Sequence, residues 1–415
     1  MAQYHLETYG CTANRGESLE IQRRLRDAGH ARVDDPARAD VAVLNTCTVV
    51  ETTEDNMLRR ADELADSTAD LVVTGCMALA QAEAFESVDA SVCHWEEVPS
   101  AVGNGECPTA TVDSEPILDG VIGILPIARG CLSDCSYCIT KQATGRIDSP
   151  SVEENVQKAR ALIHAGAKEL RATGQDTGVY GWDRDDRALP RLLDRICAIE
   201  GDFRVRLGMA NPKGVHGILE ELVETFQTND ELYNFLHIPV QSGSDDVLAA
   251  MRRQHQVAEF ETVVEAFDDG LSEWTLSTDF IVGFPNETRA DHDQSMGLLR
   301  RVRPAKVNIT RFSKRPGTDA ANMHGLGGTV KKERSRAMTD LKHDIVSSVY
   351  ESMVGESRED VLVVEPGTGD SVKCRDRAYR NLIIQNASEF GLEPGDIIDC
   401  RVTAAETVYA FAEPV

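Results

Sequence analysis

Short apolar runs of strand length alternate with amphipathic segments of helical spacing along the first 98 residues. Repeated strand–helix units of this kind imply a parallel, doubly wound sheet, so the pattern predicts an α/β domain. The predicted strands are Tyr4–Glu7, Asp40–Leu44 and Asp70–Thr74, and the predicted helices are Ser18–Asp27, Thr53–Ala65 and Ala78–Phe85.

The strand–helix alternation returns six times between residue 121 and about residue 325. Before it, residues 99–120 contain Pro and Gly residues that break periodicity, which predicts a linker. Six units are fewer than the eight of a closed parallel barrel. The predicted strands are Ile122–Ala128, Glu169–Thr173, Arg204–Leu207, Phe235–Val240, Leu276–Val282 and Lys306–Arg311, and the predicted helices are Val152–Ala165, Leu189–Ile199, Val215–Phe226, a split stretch within Asp245–Phe267, and Arg289–Arg301.

The pattern changes near the C-terminus. Residues 329–354 have the spacing of one connecting helix, and short strands with Pro-Gly and Gly-Asp turns follow it. Such a pattern predicts a small all-β barrel. We therefore divide the chain into an α/β domain (1–98), a linker (99–120), a strand–helix domain (121–348) and an all-β domain (349–415).

The charge balance is strongly acidic. The net charge is −26, and only 10 of the 43 basic residues are lysines. This composition resembles the proteins of halophiles that accumulate salt, so we expect a halophilic archaeon as the source. In molar salt the Debye length falls to about 3 Å, which screens repulsion from RNA phosphates. The alternative is an acidic mesophilic protein without a nucleic-acid partner.

The cysteine content indicates the compartment. Eleven cysteines occur in a chain that has neither a secretory leader pattern nor an apolar run of membrane-spanning length. In a reducing compartment such thiols bind metals rather than form disulfides. We therefore expect a cytoplasmic protein that has neither a membrane nor DNA as a partner.

Three cysteines, Cys131, Cys135 and Cys138, lie on one short segment with the spacing C-x3-C-x2-C. Three thiolates this close can hold three irons of a [4Fe–4S] cluster, which normally has four thiolate ligands. No fourth thiolate is near, so one iron would stay open for an outside ligand. The alternative is a structural zinc site, but zinc also requires a fourth ligand at close range.

Three further cysteines, Cys11, Cys47 and Cys76, each follow a predicted strand of the α/β domain. In open α/β sheets ligands bind at this carboxyl edge, and the start of the next helix favours a thiolate. We predict a second three-thiolate cluster with another open iron. The alternative is a set of small buried core residues. Cys93 and Cys107 are interpreted as non-ligands.

The first triplet, with its open iron, resembles the radical S-adenosylmethionine (SAM) superfamily. The order of motifs along nearly the whole chain resembles the methylthiotransferases within it, which have an extra N-terminal cluster domain and a C-terminal TRAM domain. Residues 130–145 and 174–181 look like the archaeal and eukaryotic branch, which acts on N6-threonylcarbamoyladenosine beside the tRNA anticodon. The motifs are Gly10-Cys11, Thr46-Cys47, Gly75-Cys76, the triplet, Pro239 to Ser244, Asp279 to Pro285 and Arg315 to Thr318.

The resemblance implies an open partial (βα)6 barrel, two [4Fe–4S] clusters and SAM as cofactors. The cluster on the first triplet would cleave SAM to a 5′-deoxyadenosyl radical, which takes the hydrogen from C2 of the adenine. The second cluster would hold a sulfur-containing ligand, which is transferred to C2 as a methylthio group. The implied partners are the tRNA anticodon loop and an electron donor such as ferredoxin or flavodoxin.

The resemblance also suggests which residues bind SAM. A glycine turn after the second barrel strand would meet the SAM amino group, and a later strand would support its adenine. One arginine has three interpretations: it contacts the SAM carboxylate, a substrate phosphate, or only solvent. The expected cofactor-binding residues are Tyr137, Gly174, Gln175, the ambiguous Arg206, Gln241, Ser242, Ile281 and Gly283.

A basic, aromatic-containing segment in the all-β domain suggests RNA contact, because interleaved cations and aromatic rings suit phosphates and stacked bases. Its residues are Lys373, Arg375, Arg377, Tyr379 and Arg380. A second basic run on the connecting helix contains Lys331, Lys332, Arg334 and Arg336. For each segment the alternative is an ordinary solvated surface.

Three rival functions stay open. The same chemistry on a ribosomal-protein aspartate would not depend on tRNA, and the same chemistry on isopentenyladenosine would require a different modified base. A non-catalytic iron–sulfur protein that binds RNA would not cleave SAM after reduction.

Overall fold

The computed structural model describes residues 1–48, 51–68, 70–103 and 114–415. The first part is a five-stranded parallel sheet of order β2-β1-β3-β4-β5, which confirms the predicted α/β domain. Its strands are β1 (Gln3–Thr8), β2 (Ala31–Arg32), β3 (Val41–Thr46), β4 (Asp70–Thr74) and β5 (Ser91–Val92), and its helices are α1 (Thr12–Asp27), α2 (Glu51–Ser67), α3 (Gly75–Ala80) and α4 (Val98–Val102).

Three features of this domain differ from the sequence prediction. Helix α1 begins at Thr12 rather than Ser18, so Cys11 is its N-cap. The two-residue edge strands β2 and β5 are too short to leave a periodic signal. Helix α4 extends into the predicted linker, and Cys107 and the centre of that linker lie outside the described residues.

The second part contains six parallel strands, which confirms the predicted open barrel. They form two three-stranded sheets, and the bridges Val205–Leu232 and Met209–His237 join these sheets into one open array. The strands are β6 (Ile122–Pro126), β7 (Glu169–Thr173), β8 (Arg204–Leu207), β9 (Phe235–His237), β10 (Thr275–Val282) and β11 (Lys306–Arg311), and the helices are α5 (Thr140–Thr144), α6 (Val152–His164), α7 (Leu189–Cys197), α8 (Pro212–His216), α9 (Leu219–Thr228), α10 (Asp245–Ala250), α11 (Val257–Gly270) and α12 (Arg289–Val302).

The helices of the open barrel pack apolar faces against the strands in one continuous core. Caps define where these helices start. The Ser151 hydroxyl accepts a hydrogen bond from the Glu154 backbone N–H, and the Glu154 carboxylate accepts one from the Ser151 backbone N–H. Thr288 and Asp291 repeat this capping box at α12.

The third part is a closed barrel of order β12-β13-β14-β16-β15, which confirms the predicted all-β module. Helix α13 (Gly328–Ser352) leads into it, and Tyr350 and Met353 pack into its core. The predicted boundary at 348/349 therefore falls inside this helix. The other elements are β12 (Ser357–Pro366), β13 (Ser371–Arg375), β14 (Asn381–Gln385), α14 (Ala387–Phe390), β15 (Ile397–Ala405) and β16 (Ala410–Pro414).

Helix α13 is 25 residues long, but it is polar along most of its length. None of the helices in the described part of the chain combines the length and the apolar character that crossing a membrane requires.

Candidate active site

The three N-terminal cysteines follow three adjacent strands of the parallel sheet. Cys11 follows β1, Cys47 follows β3 directly, and Cys76 is the second residue of α3 after β4. Strands β1, β3 and β4 are neighbours, and a parallel bridge between Thr46 and Gly75 continues the pairing to this edge. The fold therefore brings the three thiols to one carboxyl edge, as the sequence predicted.

Asn14 connects the segments that carry these cysteines. Its buried side chain donates hydrogen bonds to Asn45 Oδ1 (3.2 Å) and to the carbonyl oxygen of Thr46 (3.1 Å), and its Oδ1 accepts from the Cys11 thiol at 3.4 Å. Asn45 returns a bond to the Asn14 carbonyl at 2.9 Å. These bonds fix the first turn of α1 against the end of β3. They also explain why α1 starts earlier than its apolar periodicity indicates.

Two glycines allow the backbone to approach this closely. Gly10 has φ +120°, and a Cβ there would lie 2.9 Å from the Cys47 Cβ. Gly75 has φ +90°, and a Cβ there would collide with the backbone of Thr46. Both positions therefore require glycine, since other residues rarely adopt such φ values and would also clash.

The electrostatics of this edge disfavour bare thiolates. Burial, the Glu17 carboxylate and the neighbouring Cys11 and Cys47 raise the pKa of the Cys76 thiol to about 12. Three crowded thiols become stable as thiolates when a cation compensates their charge, and thiolates are the ligands preferred by iron–sulfur clusters. The donor set therefore fits a cluster.

The first triplet, Cys131, Cys135 and Cys138, lies on the loop between β6 and α5. Gly130 N–H donates to Gln175 Oε1 at 2.7 Å, which ties the start of the loop to the turn after β7. Ser136 in its middle donates through its hydroxyl to the Ala250 carbonyl (2.9 Å) and through its N–H to the Met251 carbonyl (3.0 Å). Contacts from two distant parts of the barrel thus position Cys131, Cys135 and Cys138 at the carboxyl ends of its strands.

Arg253 is a buried cation beside this loop that the sequence analysis missed. Its Nη1 approaches Cys135 Sγ at 3.8 Å, and its Nη2 donates to the Pro239 carbonyl at 2.8 Å. Burial raises the pKa of Cys135, and Arg253 opposes that rise. The only local sign of Arg253 in the sequence was the pair Arg252-Arg253 after α10. Such a basic pair is also typical of a solvent-exposed turn.

The two cysteine sets lie near one domain junction. Helix α3, which carries Cys76, packs against α5, which follows Cys138. A buried ion pair joins the domains here, because Arg315 Nη1 lies 2.5 Å from Glu54 Oε2. Glu54 Oε1 also accepts bonds from the Thr48 hydroxyl (2.6 Å) and the Gln81 amide (2.8 Å).

A cleft of about 580 Å³ opens along the same junction between α1 and the first barrel strands. Its lining includes Gly174, Gln175 and the ion pair of Arg129 with Glu17 (3.5 Å). Glu17 also interacts electrostatically with Cys76, and Arg129 lies two residues before Cys131. This pair therefore links the α/β domain to the segment that leads into the Cys131 loop.

No three His, Cys, Asp or Glu side chains in the described ranges converge closely enough to ligate one metal ion. A zinc ion requires such convergence, whereas a cubane cluster spreads its thiolates over separate irons.

The residues expected to bind SAM have mixed surroundings. Tyr137 packs edge-on against Phe284, with ring centroids 6.3 Å apart, and Ile281 belongs to the same apolar cluster. Gln241 has φ +71°, and its backbone N–H donates to the Asp279 carbonyl. Gly174 lies close to Ala128, where a Cβ would be 3.1 Å from the carbonyl oxygen.

Two of the expected SAM contacts are already occupied within the protein. Ser242 is 1% exposed, and its hydroxyl accepts from Ser244 N–H (3.2 Å) and lies 3.4 Å from the Ser295 hydroxyl, so it faces the core instead of a ligand. The side chain of Lys331 covers Gly283 and donates to the Phe312 carbonyl at 3.0 Å.

The predicted RNA segment divides into two groups. Tyr379 is 8% exposed, and its ring centroid lies 4.8 Å from those of Tyr233 and Phe235. Its hydroxyl donates a hydrogen bond to Glu169 Oε1 at 3.4 Å. Arg380 forms a buried ion pair with Glu273.

Arg375 lies over the Tyr379 ring, at 5.4 Å from its centroid. The prediction that Arg375, Tyr379 and Arg380 contact RNA is therefore wrong, because these side chains lie at the interface between the closed barrel and the open barrel. Lys373 and Arg377 stay at the surface, in ion pairs with Glu365 and Asp230.

The second basic run is also partly occupied by protein contacts. Arg334 forms an ion pair with Glu287 at 2.5 Å, and Lys331 is bound as described above. Lys332 and Arg336 are exposed.

Two family models match the chain. The model described as the radical SAM superfamily matches residues 125–299, which form most of the open barrel. The model described as uncharacterized protein family UPF0004 matches residues 3–95, which form the α/β domain.

Curated proteins match over nearly the whole length. The chain is 37% identical to a probable threonylcarbamoyladenosine tRNA methylthiotransferase of Archaeoglobus fulgidus, over 95% of this chain and 96% of that protein. It is 37% identical to one of Pyrococcus abyssi, over 94% of this chain and 96% of that protein. It is 30% identical to the human threonylcarbamoyladenosine tRNA methylthiotransferase, over 87% of this chain and 65% of that protein.

Solved structures share the fold. The radical SAM methyltransferase TsrM of Kitasatospora setae, with cobalamin and a [4Fe–4S] cluster bound, superposes with a TM-score of 0.56 at 14% identity and covers 77% of each chain. The cobalamin-dependent SAM radical enzyme OxsB gives a TM-score of 0.53 at 12% identity, over 83% of this chain and 56% of that one. At these identities the likeness shows the fold alone.

Proposed function

The chain belongs to the threonylcarbamoyladenosine tRNA methylthiotransferases, a radical SAM family, and we propose that it inserts a methylthio group at C2 of N6-threonylcarbamoyladenosine beside the tRNA anticodon. The observation that carries this proposal is the presence of two three-cysteine sets at one domain junction. The proposal assigns one [4Fe–4S] cluster to Cys131, Cys135 and Cys138 and another to Cys11, Cys47 and Cys76. Each set supplies three of the four ligands a cluster normally has, which leaves an open iron.

The cofactors would supply the radical that activates C2 and the sulfur that replaces its hydrogen. The protein's own contribution is positioning. Gln175 holds the loop of the first triplet, Arg253 places a positive charge beside Cys135, and Asn14 aligns the segments of the second set. The Glu54–Arg315 ion pair fixes one domain against the other, and hence the spacing of the two cysteine sets.

The proposed partners are the tRNA anticodon loop, SAM, and an electron donor such as ferredoxin or flavodoxin. An anticodon loop suits a recessed site because its unpaired bases can be turned out and read individually. The proposed RNA contacts are Lys373 and Arg377, whose side chains are partly exposed in the C-terminal domain.

Mass spectrometry of tRNA nucleosides from a strain that lacks the gene tests the proposal. We expect the 2-methylthio derivative of N6-threonylcarbamoyladenosine to disappear while its precursor accumulates. Complementation with the wild-type gene or with Cys93→Ala should restore the derivative, because Cys93 lies away from both cysteine sets.

Three results would contradict the proposal. An unchanged nucleoside profile would remove tRNA as the substrate. Loss of methylthiolated isopentenyladenosine, or loss of a modified ribosomal-protein aspartate, would move the same chemistry to one of the rival substrates.

A further inference from the structure

The lumen of the open barrel has an unusual floor at the amino ends of its strands. Tyr379 of the closed barrel enters there, and Arg206 of β8 and Lys306 of β11 both lie over its ring, at 5.9 and 4.4 Å from the centroid. Strands β8 and β11 are separated by β9 and β10, so side chains from both can meet on one ring only inside the barrel. Tyr379 therefore closes the lower end of the lumen, and the cations face upward around it.

The floor has more positive than negative charge. Arg171, Arg206, Lys306 and Arg375 lie around the fully buried carboxylate of Glu169, while Asp376 also interacts with Lys306 and Asp119 with Arg171. The oxygens of Glu169 are already bound, since Arg171 Nε lies at 2.6 Å and the Tyr233 hydroxyl at 3.1 Å. Burying more cations than carboxylates is costly unless another anion completes the site.

Asp376 is another carboxylate nearby, and most of its interactions are with arginines outside the floor. Its Oδ1 accepts the Arg380 backbone N–H at 2.8 Å, and Arg358 and Arg380 are the cations that stabilise its charge. These two arginines also share Glu273. Asp376 is therefore shared between Arg358, Arg380 and Lys306, and among the described residues the cations around Tyr379 still outnumber the carboxylates.

Arg206 is the least satisfied of these cations. Its Nε is buried and finds no hydrogen-bond partner among the described residues, and aromatic faces hold its guanidinium, with Phe235 at 5.1 Å. Lys306 has the Tyr379 carbonyl oxygen at 2.9 Å as an acceptor, and burial together with Arg375 and Arg206 lowers its pKa to about 7. Both groups would gain from an anion in the lumen.

The lumen above the floor is polar and open to solvent. His237 of β9 binds Asp279 of β10 at 3.1 Å, and Asn308 of β11 donates to the same carboxylate at 2.7 Å. Asn308 is exposed and Asp279 is partly exposed, although both lie between the floor and the carboxyl ends of the strands. Polar side chains that are accessible to solvent therefore lie between the floor and the mouth of the barrel.

We propose that Arg206 and Lys306, supported by Arg171, form a carboxylate-binding floor that holds the carboxylate of the N6-threonylcarbamoyl group of the target base. This inference rests on the proposed function. A guanidinium suits a carboxylate because it can donate two parallel hydrogen bonds. An isopentenyl group has no carboxylate and would leave the floor cations unpaired, so the floor selects between the two modified bases.

Two anticodon stem–loop RNAs test the floor. One carries N6-threonylcarbamoyladenosine, and the other carries its primary amide, which has nearly the same shape but no charge. We expect the wild-type holoenzyme to bind and methylthiolate the carboxylate form at least about 10-fold better, the ratio expected for one hydrogen bond to a charged group. The Arg206→Gln variant should lose this preference in both assays.

Arg204→Gln is the matched control. Arg204 lies two residues earlier on β8, but it already donates to the Phe203 carbonyl and faces Asp360. We therefore expect Arg204→Gln to keep the preference. Binding is measured by calorimetry without reductant, so the result does not depend on turnover.

Three outcomes would overturn the floor assignment. In the first, Arg206→Gln still discriminates between the two RNAs. In the second, chloride at constant ionic strength binds at the floor while neither RNA is preferred, which would make it a site for an adventitious ion only. In the third, Arg206→Gln abolishes reductive SAM cleavage without RNA, which would assign Arg206 to SAM. If the wild type methylthiolates neither RNA but calorimetry still shows the 10-fold preference, the proposed function fails and the floor stands.

Discussion

The open barrel meets its two neighbouring domains in different ways. Its junction with the α/β domain contains a cleft of about 580 Å³ and one buried ion pair, Glu54–Arg315. Its junction with the closed barrel is filled by Tyr379, which packs between Tyr233 and Phe235, and by Glu273, which binds two arginines. The first junction contains an open cleft, whereas the second closes the far end of the lumen.

The comparison shows how one scaffold separates reaction space from structural support. Packed aromatic rings stabilise a junction by more than the apolar area they bury, and they leave little room for a ligand. An isolated buried ion pair fixes orientation without filling space, but loss of one partner leaves an uncompensated charge. The chemistry that we propose requires the open junction, and the floor that we propose requires the closed one.

Removal of one cysteine from the open junction should have the largest effect. We expect Cys47→Ala to reduce methylthio transfer below detection, at least about 100-fold, since it removes a direct ligand while outer residues alone affect metal sites 10- to 100-fold. The variant should retain SAM cleavage at the other triplet and contain about four rather than about eight irons.

Mass spectrometry of the RNA, chromatography of 5′-deoxyadenosine and iron analysis check the Cys47→Ala prediction. Cys93→Ala is the control and should resemble the wild type. Full methylthio transfer by Cys47→Ala would remove Cys47 from the ligand set.

The barrel side of the open junction, which carries Cys131, Cys135 and Cys138, is tested through Arg253. Arg253→Met should lower the rate of SAM cleavage about 10- to 100-fold, because the cation beside Cys135 orients a ligand and tunes its charge. The readouts are 5′-deoxyadenosine formation and the reduction potential of the cluster. Arg252→Met removes the neighbouring, half-exposed arginine and should change neither. An unchanged potential in Arg253→Met would reduce Arg253 to a packing role.

The ion pair of the open junction comes next in magnitude. Glu54→Gln should lower the free energy of unfolding by about 3–5 kcal/mol, because Arg315 then stays buried without a counter-charge. We also expect fewer methylthio groups transferred per SAM cleaved, since the α/β domain and the open barrel lose their fixed spacing. Denaturant titration and product ratios measure both effects. Glu63→Gln, an exposed position on the same helix, is the control.

The same contrast explains what the sequence could predict. The predicted bounds of β7, β8 and β11 agree with the structure because their alternation or apolar runs are local signals. The convergence of Cys11, Cys47 and Cys76 followed from their equal positions after adjacent parallel strands. Both results depend on near-neighbour order along the chain.

The failures share the opposite property. Tyr379 and Arg380 were assigned to RNA from a local pattern of cations and an aromatic ring, but their partners, Glu169 and Glu273, lie 210 and 107 residues away in sequence. Ser242 was assigned to a ligand from its polar turn, but its hydroxyl lies beside that of Ser295, which is 53 residues distant. A local pattern shows that a residue is polar or aromatic, but only the tertiary structure shows which group already occupies it.

The closed junction provides the smallest expected effect. Tyr379→Phe removes one hydroxyl, and Glu169 keeps its bonds to Arg171 and Tyr233, so the unfolding free energy should fall by only about 0.5–1.5 kcal/mol. RNA affinity should not change, because the ring is buried between domains, whereas Lys373→Gln should weaken RNA binding. Tyr409→Phe serves as the control in the same domain. A several-fold loss of RNA affinity in Tyr379→Phe alone would mean that this tyrosine leaves the junction to stack on a base, and the two junctions would then differ less than their packing indicates.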